Sequence, residues 1–147
     1  MYEINPQAIE QESFRQIRAL TDLTDLTLAQ QQVVMRIVHS VGMPEIASAV
    51  RFSANACESG IAALKQGAPI LCDVEMVKQG ITKRMIDQPP LCYLNDERAV
   101  ALAKASGETR SMAAVALWRE QLAGSVVVIG NAPTALFRLL ELIEEGA

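Results

Sequence analysis

The chain has 147 residues, half of them apolar, and a net charge of −4. That length predicts one domain over 1–147 with enough apolar material for a core. The acidic balance excludes the basic footprint of a nucleic-acid binder, and no apolar run in the sequence is long enough to span a membrane.

Aromatic residues make up 4% of the chain, so the core is expected to consist of Ala, Val, Leu, Ile and Met. The opening Met-Tyr-Glu-Ile-Asn-Pro lacks the basic-then-apolar pattern of a signal peptide. Cys57, Cys72 and Cys92 lack C-x-x-C spacing. They read as small buried residues of a reducing cytoplasm. No metal site is expected, because the only histidine lies in a different segment.

In chain order, Asn5 to Leu20 reads as a helix, with Asn5 as N-cap and Pro6 at the first helical position. Ile9, Ser13, Ile17 and Leu20 share one face of it. A second helix runs from about Leu28 to Val41. Its apolar stripe is Val33, Val34, Ile37, Val38 and Val41, and Gly42 and Pro44 end it. Strands and helices then alternate. Ala49–Phe52 is a candidate strand, Ala54–Gln66 a helix, Pro69–Cys72 a strand, and a short helix runs through Lys78 to Gly80. Leu91–Leu94 is a strand, Asp96–Ala105 a helix, and Thr109–Ala123 a longer helix stopped by Gly124. Val126–Ile129, four β-branched residues in a row, reads as a strand covered on both faces. Gly130-Asn131-Ala132 then turns the chain into a helix opened by Pro133. The alternation predicts an open parallel α/β sheet with helices on both faces. Such sheets bind ligands at the carboxyl ends of their strands, here Ser53, Asp73, Asn95, and Gly130 with Asn131.

His39 stands in the last turn of the second helix. The negative end of the helix dipole favours imidazolium there, which suits a general acid. A lone histidine at a helix end is also commonly a surface or capping residue. The Gly130–Thr134 turn offers free N–H groups at a helix start, although Pro133 removes one donor. It reads either as a weak anion site or as an ordinary turn. Arg110, just after the N-cap Thr109, opposes its helix dipole and reads as a carboxylate ligand or a solvated surface residue. Asp73 either orients a partner or caps the short helix that follows it. Gly80-Ile-Thr-Lys-Arg84 is a loop with a hydroxyl and two cations, suited to acidic groups or simply to solvent.

Several segments occur together in one order. They are Glu12-Ser-Phe-Arg-Gln-Ile-Arg18, Arg36-Ile-Val-His-Ser-Val-Gly42, Gly67-Ala-Pro-Ile-Leu-Cys-Asp-Val-Glu-Met-Val77, Gly80-Ile-Thr82, Thr109-Arg-Ser111 and Leu122-Ala-Gly-Ser-Val-Val-Val-Ile-Gly-Asn-Ala-Pro-Thr-Ala-Leu136. Taken jointly they resemble the precorrin-8X methylmutase family of corrin (vitamin B12) biosynthesis, over nearly the whole chain. The resemblance implies a flavodoxin-like fold, a cytoplasmic homodimer and no dissociable cofactor. It implies an isomerase acting on a tetrapyrrole, which moves a methyl group between adjacent carbons at ring C of precorrin-8X. The product is hydrogenobyrinate, or cobyrinate from the cobalt form. His39 then falls on the family's acid, and Ser13, Thr82, Arg110 and Asn131 fall on substrate-binding positions. Family chains continue beyond the helix ending near Glu145 with a further strand, a loop and a closing helix. The expectation is therefore a C-terminally shortened enzyme, and the competing one a corrinoid-binding protein without turnover or an inactive fragment of the enzyme.

Overall fold

The computed structural model describes residues 2–147. They form two compact units, one through Ser59 and one over Gly60–Ala147.

The first unit is helical. Helix α1 (Pro6–Leu20) starts where Asn5 accepts the Ala8 N–H and Pro6 supplies a preset φ. Helix α2 (Leu28–Val41) opens with a capping box between Thr27 and Gln30 and stops at Gly42, whose φ of 73° suits glycine. The two helices bury Ile17, Leu23, Val34, Met35 and Val38, with Phe14 and Ile46 packed against them. The expected apolar stripes are each displaced. Ile9 and Leu20 are largely exposed, as are Val33 and Val41, while Met35 takes a core position. Val33, Ile37 and Val41 instead line a shallow hollow of about 540 Å³ on the outer face of α2.

Ala49–Phe52 is not a strand. Pro44–Ala49 is a tight 3₁₀ turn, and the chain then runs on without a ladder partner among the described residues. Val50 and Phe52 still pack on the core of this unit, which accounts for their apolar alternation. Helix α3 (Ala56–Lys65) begins two residues later than its sequence suggests. Asn55 ahead of it adopts a left-handed φ of 59°, a conformation asparagine tolerates.

The second unit holds a three-stranded parallel sheet in the order β2-β1-β3, with β1 at Ile70–Cys72, β2 at Leu91–Cys92 and β3 at Val126–Val128. Leu71 lies opposite both Leu91 and Val127. This is the expected open α/β arrangement. Helices α4 (Glu75–Gly80), α5 (Glu97–Ser106), α6 (Arg110–Ala116) and α7 (Pro133–Glu144) follow in alternation with the strands. The core joins Leu71 to Val115, Trp118, Leu122, Ala135 and Leu142. A smaller cluster of Ala99, Ala113 and Ala114 lets helices approach closely.

Two expectations change here. Strand β3 is half-buried rather than covered on both faces, because β1 is its one ladder partner among the described residues; only β1 is fully buried. The helix from Thr109 does not reach Ala123. It gives way after Ala116 to i→i−3 hydrogen bonds, Leu117 N–H to Ala114 and Trp118 N–H to Val115. This tighter winding carries the wholly buried Trp118 into the core. The three cysteines are free thiols. Cys72 faces Cys92 in register, and burial pushes its thiol up to about 11.

Candidate functional site

Candidate residues lie in both units. In the first, α1 and α2 bring Ser13 and His39 together: Ser13 Oγ and His39 Nδ1 are 2.8 Å apart. The serine accepts where Nδ1 carries a proton and donates in the tautomer where it does not. Nε2 has no hydrogen-bond partner among the described residues. Phe14 stacks on the imidazole, with centroids 5.3 Å apart and planes 16° from parallel. The Arg36 guanidinium sits 4.6 Å from the centre of the same phenyl ring. The imidazole is therefore fixed at one nitrogen and along one face, while the residue itself is exposed. The ring is thus held by Ser13 and Phe14 rather than spent on capping the end of α2. Phe14 was not singled out by sequence; its place one residue after Ser13, on the way to the next turn of α1, was the available signal.

An open groove of about 440 Å³ beside this cluster is lined by Phe14, Arg15, Arg18 and Arg36. Its cations are already engaged. Arg15 pairs with Glu12, Arg36 with Glu10, and Arg18 donates to Gln31. The groove thus offers less free positive charge than its three arginines suggest.

In the second unit the functional groups cluster at the carboxyl ends of β1 and β3. Asp73, the residue after β1, is 1% exposed. It does not cap α4, whose N-cap is Val74 and has no side-chain cap bond. Its carboxylate accepts N–H bonds from Gly130 at 2.9 Å and Ala132 at 3.4 Å. The turn that read as a weak anion site or an ordinary turn thus binds a carboxylate from within the chain. Asn131, between the two captured amides, is exposed.

The starts of α6 and α7 are tied to each other. Thr109 caps α6 by accepting the Met112 N–H, and its hydroxyl donates to Thr134 Oγ1 at 3.0 Å. Arg138 of α7 pairs with Glu108, directly before the cap. Arg110 is exposed and forms no ion pair among the described residues, which leaves its guanidinium open to a carboxylate. Thr82 is exposed ahead of a 3₁₀ turn that contains Lys83 and Arg84. The structure thus places Asn131 just ahead of α7 and ties the first turn of that helix, at Thr134, to the cap preceding Arg110. Among the described residues no three His, Cys, Asp or Glu side chains are grouped to hold a metal ion.

An open parallel sheet with polar groups at its strand ends places the second unit among the α/β proteins. The precorrin-8X methylmutase family model matches residues 8–147. Precorrin-8X methylmutase from Sinorhizobium is 49% identical over 142 residues, covering 95% of this chain and 68% of that protein. The Pseudomonas aeruginosa enzyme of the same name is 46% identical over 143 residues, covering 96% and 69%. A crystal structure of precorrin-8X methylmutase from Thermus thermophilus superposes with a TM-score of 0.87 at 37% identity, over 96% of this chain and 70% of that one. The chain belongs to the precorrin-8X methylmutase family, a family of isomerases. No helix among the described residues is long and apolar enough to cross a membrane.

Proposed function

We infer that this chain moves a methyl group between adjacent carbons at ring C of precorrin-8X, with His39 as general acid. The product is hydrogenobyrinate, or cobyrinate when the substrate carries cobalt. Family membership over residues 8–147 supports the reaction class. The observation that carries the assignment of His39 is its 2.8 Å bond to Ser13 through Nδ1, which leaves Nε2 to deliver a proton.

The reaction is internal to the macrocycle. One carbon–methyl bond breaks, a neighbouring one forms, and no group is gained or lost. Protonation by Nε2 makes the conjugated system electron-poor and eases the migration; the proton then returns to the imidazole. Ser13 accepts from Nδ1–H while Nε2 is without its proton, so the ring keeps its orientation throughout. General acid catalysis of this kind contributes roughly 10²–10⁴-fold.

The substrate carries many carboxylates, and the net charge of the chain repels them. Local cations must therefore do the binding. Arg110 grips a carboxylate with two parallel hydrogen bonds, while Thr82, Ser13 and Asn131 contact carboxylates or the ring edge. The functional unit in this reading is a homodimer.

Mixing the protein with precorrin-8X and recording the visible spectrum tests the reading. Conversion to the corrin spectrum is the expected result. A bound but unconverted spectrum would favour a corrinoid-binding protein without turnover, and neither change in folded protein would refute both.

A further inference from the structure

We propose that Asp73 is a positioning residue for corrin binding: by capturing the Gly130 and Ala132 amides it fixes the loop that presents Asn131 to the substrate. The proposal rests on the reading of Asn131 as a substrate ligand.

A buried carboxylate is costly unless strong donors compensate it. Asp73 is 1% exposed and forms no ion pair among the described residues. What holds it is the pair of loop amides, 57 and 59 residues further along the chain. Hydrogen bonds to a charged acceptor are stronger than neutral ones, so the carboxylate clamps both sides of Asn131. The loop is shaped for this approach. A Cβ on Gly130 would lie 2.6 Å from Val77 Cγ2 and 3.4 Å from Asp73 Oδ1, so only glycine lets the backbone come this close. The Thr109–Thr134 bond ties the start of α7, directly after the loop, to the start of α6.

The arrangement also bears on what the loop can bind. Amides at a strand-to-helix junction are common anion donors. Here Asp73 occupies two of them. A substrate carboxylate is thereby turned away from the backbone and toward the neutral Asn131 carboxamide and the Arg110 guanidinium.

A double-mutant cycle on the 147-residue protein tests this, with hydrogenobyrinate titrated by visible absorption. Asp73→Asn replaces one accepting oxygen by a donor facing an N–H. It is expected to weaken binding roughly tenfold, and Asn131→Ala by a similar factor. In the Asn131→Ala background Asp73→Asn should cost nothing more, because its effect travels through Asn131. A purely structural role would lower the melting temperature equally in both backgrounds and leave affinity alone. Equal losses of affinity in both backgrounds, or none in either, overturn the proposal. If the unsubstituted protein fails to bind, the parent reading falls and this one with it. Should Asp73→Asn not fold, amide hydrogen exchange on the unsubstituted protein decides. Gly130 and Ala132 should be protected and Asn131 should exchange fast; rapid exchange at all three contradicts the clamp.

Discussion

Ser13 and His39, 26 residues apart and on different helices, are joined by a 2.8 Å contact between Oγ and Nδ1. The serine sets which imidazole nitrogen is left to act. Ser13→Ala should leave the fold intact, since the serine is only half-buried. Losing one such bond removes about 1 kcal/mol, or roughly fivefold, from the rate constant for conversion. Single-turnover visible spectroscopy measures it. An unchanged rate would remove Ser13 from the mechanism.

Arg110 is the open cation of the second unit. Arg110→Ala should weaken binding of a corrin polycarboxylate roughly tenfold to a hundredfold, the range of a hydrogen bond to a charged group. The remaining affinity should also depend less on ionic strength, because one screened charge pair has gone. Titrations at two salt concentrations check both. Equal affinity of variant and parent would count against the role of Arg110.

Most of the fold was legible in the sequence because its signals are local. Asn5, Gly42 and Asp96 end or begin helices through their own side chain or φ. The short apolar runs at Ile70, Leu91 and Val126 have few ways to bury other than as strands. The misreadings have a common cause. Ala49–Phe52 has the composition of a strand, but a strand exists only with a ladder partner. The helix from Thr109 continues on propensity, yet packing of Trp118 tightens it after Ala116. At the site, Arg110 was visible because it opposes its helix dipole, and His39 because a histidine at a helix C-terminus suits a general acid. The clamp by Asp73 was not, because its partners are backbone amides nearly sixty residues away and leave no side-chain signal.

Trp118 is fully buried in the second unit, and its Nε1 has no partner among the described residues. Trp118→Ala should destabilise this unit by about 3–5 kcal/mol, as for other large core truncations. Trp118→Phe should cost distinctly less, because it also removes an unpartnered donor. Urea unfolding followed by circular dichroism compares the two. Equal losses would mean that the Nε1 donor is satisfied.

Acid should weaken both units. The Arg15 side chain, then Gln16, holds the Glu12 carboxyl down to about 2 from an ordinary 4.5. The Arg98 side chain, then its backbone N–H, holds Asp96 down to about 2 from 3.8. Both carboxyls are depressed in the folded chain. Their stabilisation is therefore complete above the ordinary values and is lost as pH falls toward 2. Glu12 is exposed and Asp96 partly so, and their arginine partners are exposed, so salt should blunt the effect. Melting temperatures between pH 5 and pH 2.5 should fall, and fall less steeply in Glu12→Gln and Asp96→Asn. Parallel curves for parent and variants would contradict these pairings.

The most direct test is the rate at which His39→Ala converts precorrin-8X, set beside its affinity for the product. The variant should fold, bind the corrin about as tightly as the parent, and convert substrate roughly 10²–10⁴-fold more slowly. Conversion at the parental rate would show that the proton comes from elsewhere and that the Ser13–His39 pair is not the acid.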